Sequence, residues 1–153
     1  ANRRLAVAVH HEAVIGPPRR SQRVIVPVAD VTRDVVHALT FARTMSDHVT
    51  AVHVTEDAAR GLDLRERFER QLPGVPLVVV ESPYRSLVAP LLRYLEDAAD
   101  HADEEVVIVL LPEYVPGNPL ERFLYNDNGR RIRDRLLGKP NVLVAEVPYR
   151  RPA

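Results

Sequence analysis

A chain of 153 residues, 46% apolar and 27% charged, is long enough for one domain with a buried core and has an ordinary soluble balance. Its 21 basic and 21 acidic residues cancel to a formal charge of +0, so it lacks the general attraction on which nucleic-acid and anionic-lipid binders rely, and no nucleic-acid partner is expected. There is no cysteine, which excludes a disulfide framework and any thiolate zinc site.

The elements follow in chain order. Residues 1–22 form an N-terminal segment and linker, in which RRLAVAVHHEAVI fits either an amphipathic helix or an edge strand and GPPRRSQ reads as a linker. An α/β domain is expected over 23–149. RVIVPV (23–28) is a first strand, apolar on both faces apart from Arg23, as a central parallel strand should be. A helix over 34–46 places Val35, Leu39, Ala42 and Met45 at helical spacing. HVTAVHVTE (48–56) is a second strand. The helix over 58–72 carries Leu64, Phe68 and Leu72 on one stripe and charges elsewhere, and Pro73-Gly74 stops it. VPLVVVES (75–82) is a third strand. Leu87, Leu91, Leu95 and Ala98 then define a helix with Ser86 as its expected N-cap and Pro90 near its start, since an interior proline would remove a hydrogen-bond donor. EVVIVLLP (105–112) is a fourth strand. LERFLYN (120–126) is a short helical piece, NDNG interrupts it, and RRIRDRLL continues as a last helix with Ile132 and Leu136 inward. Gly138 and Pro140 end that helix, and NVLVAEVPY (141–149) is a fifth strand.

Strands alternating with helices through short connections predict a parallel, doubly wound α/β sheet, with ligands expected beyond the carboxyl ends of its strands. That directs attention to loops 29–34, 55–58, 82–86 and 112–119. No run approaches the roughly 20 apolar residues of a membrane helix; the longest is VVIVLLP (106–112).

The loops offer little for catalysis. No cysteine nucleophile and no G-x-S-x-G elbow is present, and no histidine is placed by sequence near Ser82 or Ser86. No metal site is expected: His10, His11 and Glu12 are adjacent and cannot all face one ion, while His48 and His53 point to opposite faces of a strand. No enzyme activity and no cofactor follow. SPYRS (82–86) reads either as a Tyr-Arg pair that packs loop to helix or as a corner for an anion or nucleotide. It brings a ring for stacking (Tyr84), a guanidinium (Arg85), a hydroxyl (Ser86) and a helix start together. The densest basic stretch, Arg130, Arg131, Arg133 and Arg135, reads as a solvated helix face or as a phosphate clamp.

RVIVPVADVTRD with HVTAVHV resembles the universal-stress-protein fold. Taken with ESPYRSL, LLPEYVP and NVLVAEVPY, residues 23–149 more specifically resemble the cytosolic C-terminal domain of bacterial APC-superfamily permeases, KUP-like potassium importers among them. The resemblance implies five parallel strands in the order 3-2-1-4-5 and a non-catalytic regulatory domain of an amino acid or potassium transporter. It would sit at the cytoplasmic face of the membrane, with the transmembrane part of the same transporter as partner. A stand-alone nucleotide-binding stress protein is the alternative. ATP-binding members of the stress-protein fold carry G-x-x-G-x(9)-G-[ST] after strand four. Here that region reads PEYVPGNPLERFLYNDNG, in which Gly117 and Gly129 miss the spacing and Pro112, Pro116 and Pro119 remove N–H donors. The potassium-importer branch implies cyclic di-AMP as the sensed ligand. The expected contacts are Asp30 and Thr32 to base or ribose, Tyr84 stacking, Arg85 and Ser86 at a phosphate, and Arg130 or Arg131 closing from the last helix. The fifth strand, a bare edge, is expected to pair a homodimer through 141–149.

Overall fold

In the computed structural model the described residues are 14–18, 21–83, 86–102, 104–112 and 133–147. The elements run β1 (Ser21–Pro27), α1 (Arg33–Met45), β2 (His48–Thr55), α2 (Ala58–Gln71), β3 (Leu77–Glu81), α3 (Val88–Asp100), β4 (Glu105–Pro112) and β5 (Val142–Val147), with helical residues 133–137 before the last strand. All pairs are parallel and the order is β3-β2-β1-β4-β5, as expected. The expected piece at 120–126 and the start of the last helix, Ile132 included, lie outside the described residues.

Alternation along the strands builds two cores. Val24, Val26 and Val28 point to one face and meet Val35, Ala38, Leu39 and Ala42 of α1 and Leu64 and Phe68 of α2. Ile25 points to the other face with Val52, Val54, Val107 and Val109, beneath Leu91, Leu92 and Leu95 of α3 and Leu136. β1 and β4 are central and apolar on both faces, and both lie between helical layers. The helical spacings read from sequence select the buried side of each helix, with Met45, Leu72, Leu87 and Ala98 only partly covered at its margin.

Some boundaries shift. β1 begins at Ser21, because pairing with β4 extends to Ser21 opposite Glu105. β3 is shorter than expected, since Pro76 precedes it and Ser82 already turns away after donating its N–H to the Thr55 carbonyl at 2.8 Å. The N-cap of α3 is Leu87, not Ser86. The Ser82 hydroxyl donates to the Ser86 carbonyl and holds Ser86 in the preceding turn, so the first helical bond runs from the Leu91 N–H to the Leu87 carbonyl at 3.3 Å.

α2 approaches the sheet closely through one residue. A Cβ on Gly61 would stand 2.6 Å from Val79 Cγ1 and 3.2 Å from Thr55 Cγ2, so only glycine allows this depth. Among the described residues, no helix is long and apolar enough to cross a membrane.

Candidate functional site

The carboxyl ends of β1, β2 and β3 place three loops along one edge of the sheet. After β1, Asp30 Oδ1 accepts from its neighbour's amide, Val31 N–H, at 2.7 Å and from the Arg67 guanidinium of α2 at 2.8 Å. Arg67 also reaches Asp63 one turn earlier at 3.2 Å. Thr32 is the extended N-cap of α1, but its hydroxyl donates to the Asp34 carboxylate instead of capping the helix. Both predicted base-contacting residues are thus already engaged within the loop. After β2, the Thr55 hydroxyl oxygen accepts from the Asp57 N–H at 3.0 Å, and the Asp57 carboxylate caps α2 through the Ala59 and Arg60 amides. The amino end of α2 is therefore filled by the chain's own carboxylate.

After β3 the situation differs. α3 starts without a side-chain cap, and beside it a groove of about 540 Å³ runs between β3 and the helix. Glu81, Ser82, Ser86, Pro90, Arg93, Tyr94 and Asp97 are among the residues that line it, so its guanidinium shares the groove with two carboxylates. Burial pushes the Tyr94 phenol above its ordinary 10.0, so it stays a protonated donor at neutral pH. Arg93 adds a guanidinium suited to phosphate or carboxylate. Arg93 and Tyr94 were missed from sequence. The available signal was spacing: residues 86, 90, 94 and 97 succeed one another by four, four and three into the helix that follows the 82–86 loop, with 93 three after 90.

Ser86 therefore lies at the mouth of this groove, while Asp30 and Thr32 lie beyond β2, about 10 Å away at the usual strand spacing. Thr32 opens α1 on one face of the sheet and Ser86 leads into α3 on the other. Only a ligand lying across the carboxyl edge, over the end of β2, would touch both. Tyr84, Arg85, Arg130 and Arg131 lie outside the described residues, as does the 113–119 loop. The two described arginines of the basic stretch face carboxylates: Arg133 lies 3.5 Å from Glu146, and Arg135 lies 3.1 Å from Glu96. Two carboxylates near the α3–β4 connection are also paired, Asp100 at the end of α3 with Lys139 at 2.7 Å and Glu105 at the start of β4 with Arg23 at 3.2 Å.

No group of three His, Cys, Asp or Glu side chains among the described residues is placed to hold a metal. The buried Ser82 hydroxyl is committed to the Ser86 carbonyl, and the buried His53 Nδ1 to the Val28 carbonyl at 2.9 Å. Neither is arranged as a nucleophile with its base.

An open parallel sheet in the order β3-β2-β1-β4-β5 with helices on both faces defines a doubly wound α/β domain, the class in which ligands, where bound, sit beyond the carboxyl ends of the strands. Residues 19–149 match the family described as the KimA potassium transporter C-terminal domain. Over 128 residues the chain is 38% identical to the potassium transporter KimA of Bacillus subtilis (strain 168), a stretch covering 82% of this chain and 21% of that relative. The chain belongs to the family of KimA potassium transporter C-terminal domains, and it spans about a fifth of the length of the curated relative it matches.

Proposed function

We propose that this chain is the non-catalytic regulatory domain of a bacterial potassium transporter of the APC-superfamily type. It works at the cytoplasmic face of the membrane, beside the transmembrane part of the same transporter. The family match over 19–149 carries this reading and favours potassium over amino acids as the transported solute. In the same reading the domain senses a nucleotide, cyclic di-AMP foremost. A ligand with two bases and two phosphodiesters suits a site whose parts are spread along a strand edge rather than gathered in one glycine cradle. Asp30 and Thr32 would meet one half. Ser86, Arg85 and Tyr84 would meet the other, with Arg93 and Tyr94 of the groove at its margin and Arg130 or Arg131 closing over it. The domain works as a homodimer through the edge at 141–149.

Calorimetry with cyclic di-AMP, ATP and AMP tests the ligand. Binding of cyclic di-AMP is expected, with affinity reduced about 10- to 150-fold in Arg85→Ala, the usual cost of removing a charge-assisted partner. No heat with any nucleotide, or equal affinity in the variant, would remove this site and leave a structural tail.

A further inference from the structure

His53 is only 7% exposed, and it is a titratable side chain that the proposed site does not use. It stands near the carboxyl end of β2, in the sheet face covered by α1 and α2, opposite Val79 of β3. Its Nδ1 lies 2.9 Å from the Val28 carbonyl, and the only proton that can make that bond is on Nδ1, because a carbonyl accepts and cannot donate. Nε2 is therefore an unprotonated acceptor at neutral pH. It is buried and has no hydrogen-bond partner among the described residues. The charged groups acting on the ring are Arg60 and Arg67 from α2 and Asp30 from the loop after β1. Arg67 in turn holds Asp30, and Asp30 in turn holds the Val31 amide.

We propose that His53 is a proton-sensitive latch on the 29–32 loop: a proton taken up at Nε2 draws Asp30 away from Arg67 and releases that loop. A proton on Nε2 creates a second buried donor, and a buried donor without an acceptor is costly. Arg60 and Arg67 repel the new charge. Among the described residues, Asp30 is the carboxylate that acts on the ring, and its Oδ1 already serves Arg67 and Val31. Neutralising the imidazolium thus competes directly with the contacts that shape the loop entering α1. Burial keeps the imidazole below its ordinary value of 6.5, so the latch stays shut at neutral pH and opens on acidification. The device needs no bound ligand, so it stands or falls separately from nucleotide sensing.

Site-resolved NMR of the 153-residue chain, taken from about pH 7.5 to about pH 5, tests it. The His53 ring resonances should titrate with a midpoint below 6.5. With the same midpoint, protection of the Val31 amide against hydrogen exchange, corrected for the intrinsic effect of pH, should fall about tenfold or more. The amides of Val107 and Val109 in β4 should keep theirs. His53→Gln keeps a polar amide in place of the ring but does not titrate, and it should abolish the acid-linked change at Val31. Unchanged Val31 protection through the His53 midpoint would overturn the proposal. So would the same loosening in His53→Gln, or parallel loss throughout β4. If the variant does not fold, the two wild-type midpoints decide, and midpoints that differ defeat the latch.

Discussion

Gly61 shows how a single residue sets the depth of a helix. Replacing it with alanine should gain about 1 kcal/mol of helix propensity. The added methyl group, however, meets Val79 Cγ1 at 2.6 Å, and a β-branched valine in a strand has little freedom to turn aside. Overpacking of this kind costs about 1–3 kcal/mol, so Gly61→Ala should lose about 1 kcal/mol net. A urea midpoint that falls at unchanged slope would establish this; a midpoint that rises would mean that Val79 yields without cost. His53 makes a prediction at the same scale. Its folded value lies below 6.5, chiefly through burial, so the unfolded chain takes up the proton first. The stability it contributes is complete above pH 6.5 and declines as pH falls from there toward the folded value. Urea midpoints of wild type and His53→Gln should therefore converge on acidification. A constant difference across that window would contradict the assignment.

At the scale of elements, the three long helices begin in different ways. α2 is capped by Asp57, whose carboxylate accepts from Ala59 at 3.0 Å and from Arg60 at 3.4 Å. Asp57→Ala should cost about 1 kcal/mol, read from thermal or urea unfolding. α1 and α3 have no side-chain cap, so their starts rest on packing and on the turns before them. The same contrast explains which parts of the site were legible. The 82–86 loop and its groove follow from a strand ending where an amphipathic helix begins, and SPYRS marks that point in the sequence. The engagement of Asp30 by Arg67 was not legible, because α2 docks beside the β1 loop only through a long-range packing of Leu64 and Phe68. Ser86 was misassigned as a cap because a hydroxyl before a helical stripe is the usual signal, and the bond that overrides it comes from Ser82.

At the scale of the whole molecule, β3 and β5 are the outer strands of the sheet, and the chain treats them differently. β3 is five residues long, lies between Pro76 and Pro83, and keeps its apolar side chains at least partly covered. On β5, Leu143 is 52% exposed. An exposed leucine on an edge strand favours that edge for pairing with a second copy, as the proposed homodimer requires. Leu143→Lys should then move the wild-type dimer toward monomer in light scattering at micromolar concentration, while the variant monomer keeps a cooperative urea transition, since the substitution is at the surface. A wild-type monomer under those conditions would exclude the dimer.

The sequence by itself determined the alternation of strands and helices, the buried side of each described helix and the absence of a glycine cradle after strand four. These are local properties: side-chain periodicity selects an element and its inner face, and proline and glycine act where they stand. The strand order 3-2-1-4-5 was legible only through the family resemblance. What the tertiary structure alone decided is which polar groups remain available. The side chains of Asp30, Thr32, Asp57 and Ser82 are all engaged by the fold, Arg93 and Tyr94 gain a groove, and His53 keeps a buried nitrogen with no partner among the described residues. Such bonds depend on distances between segments far apart in the chain, and those distances exist only once helices and sheet have packed.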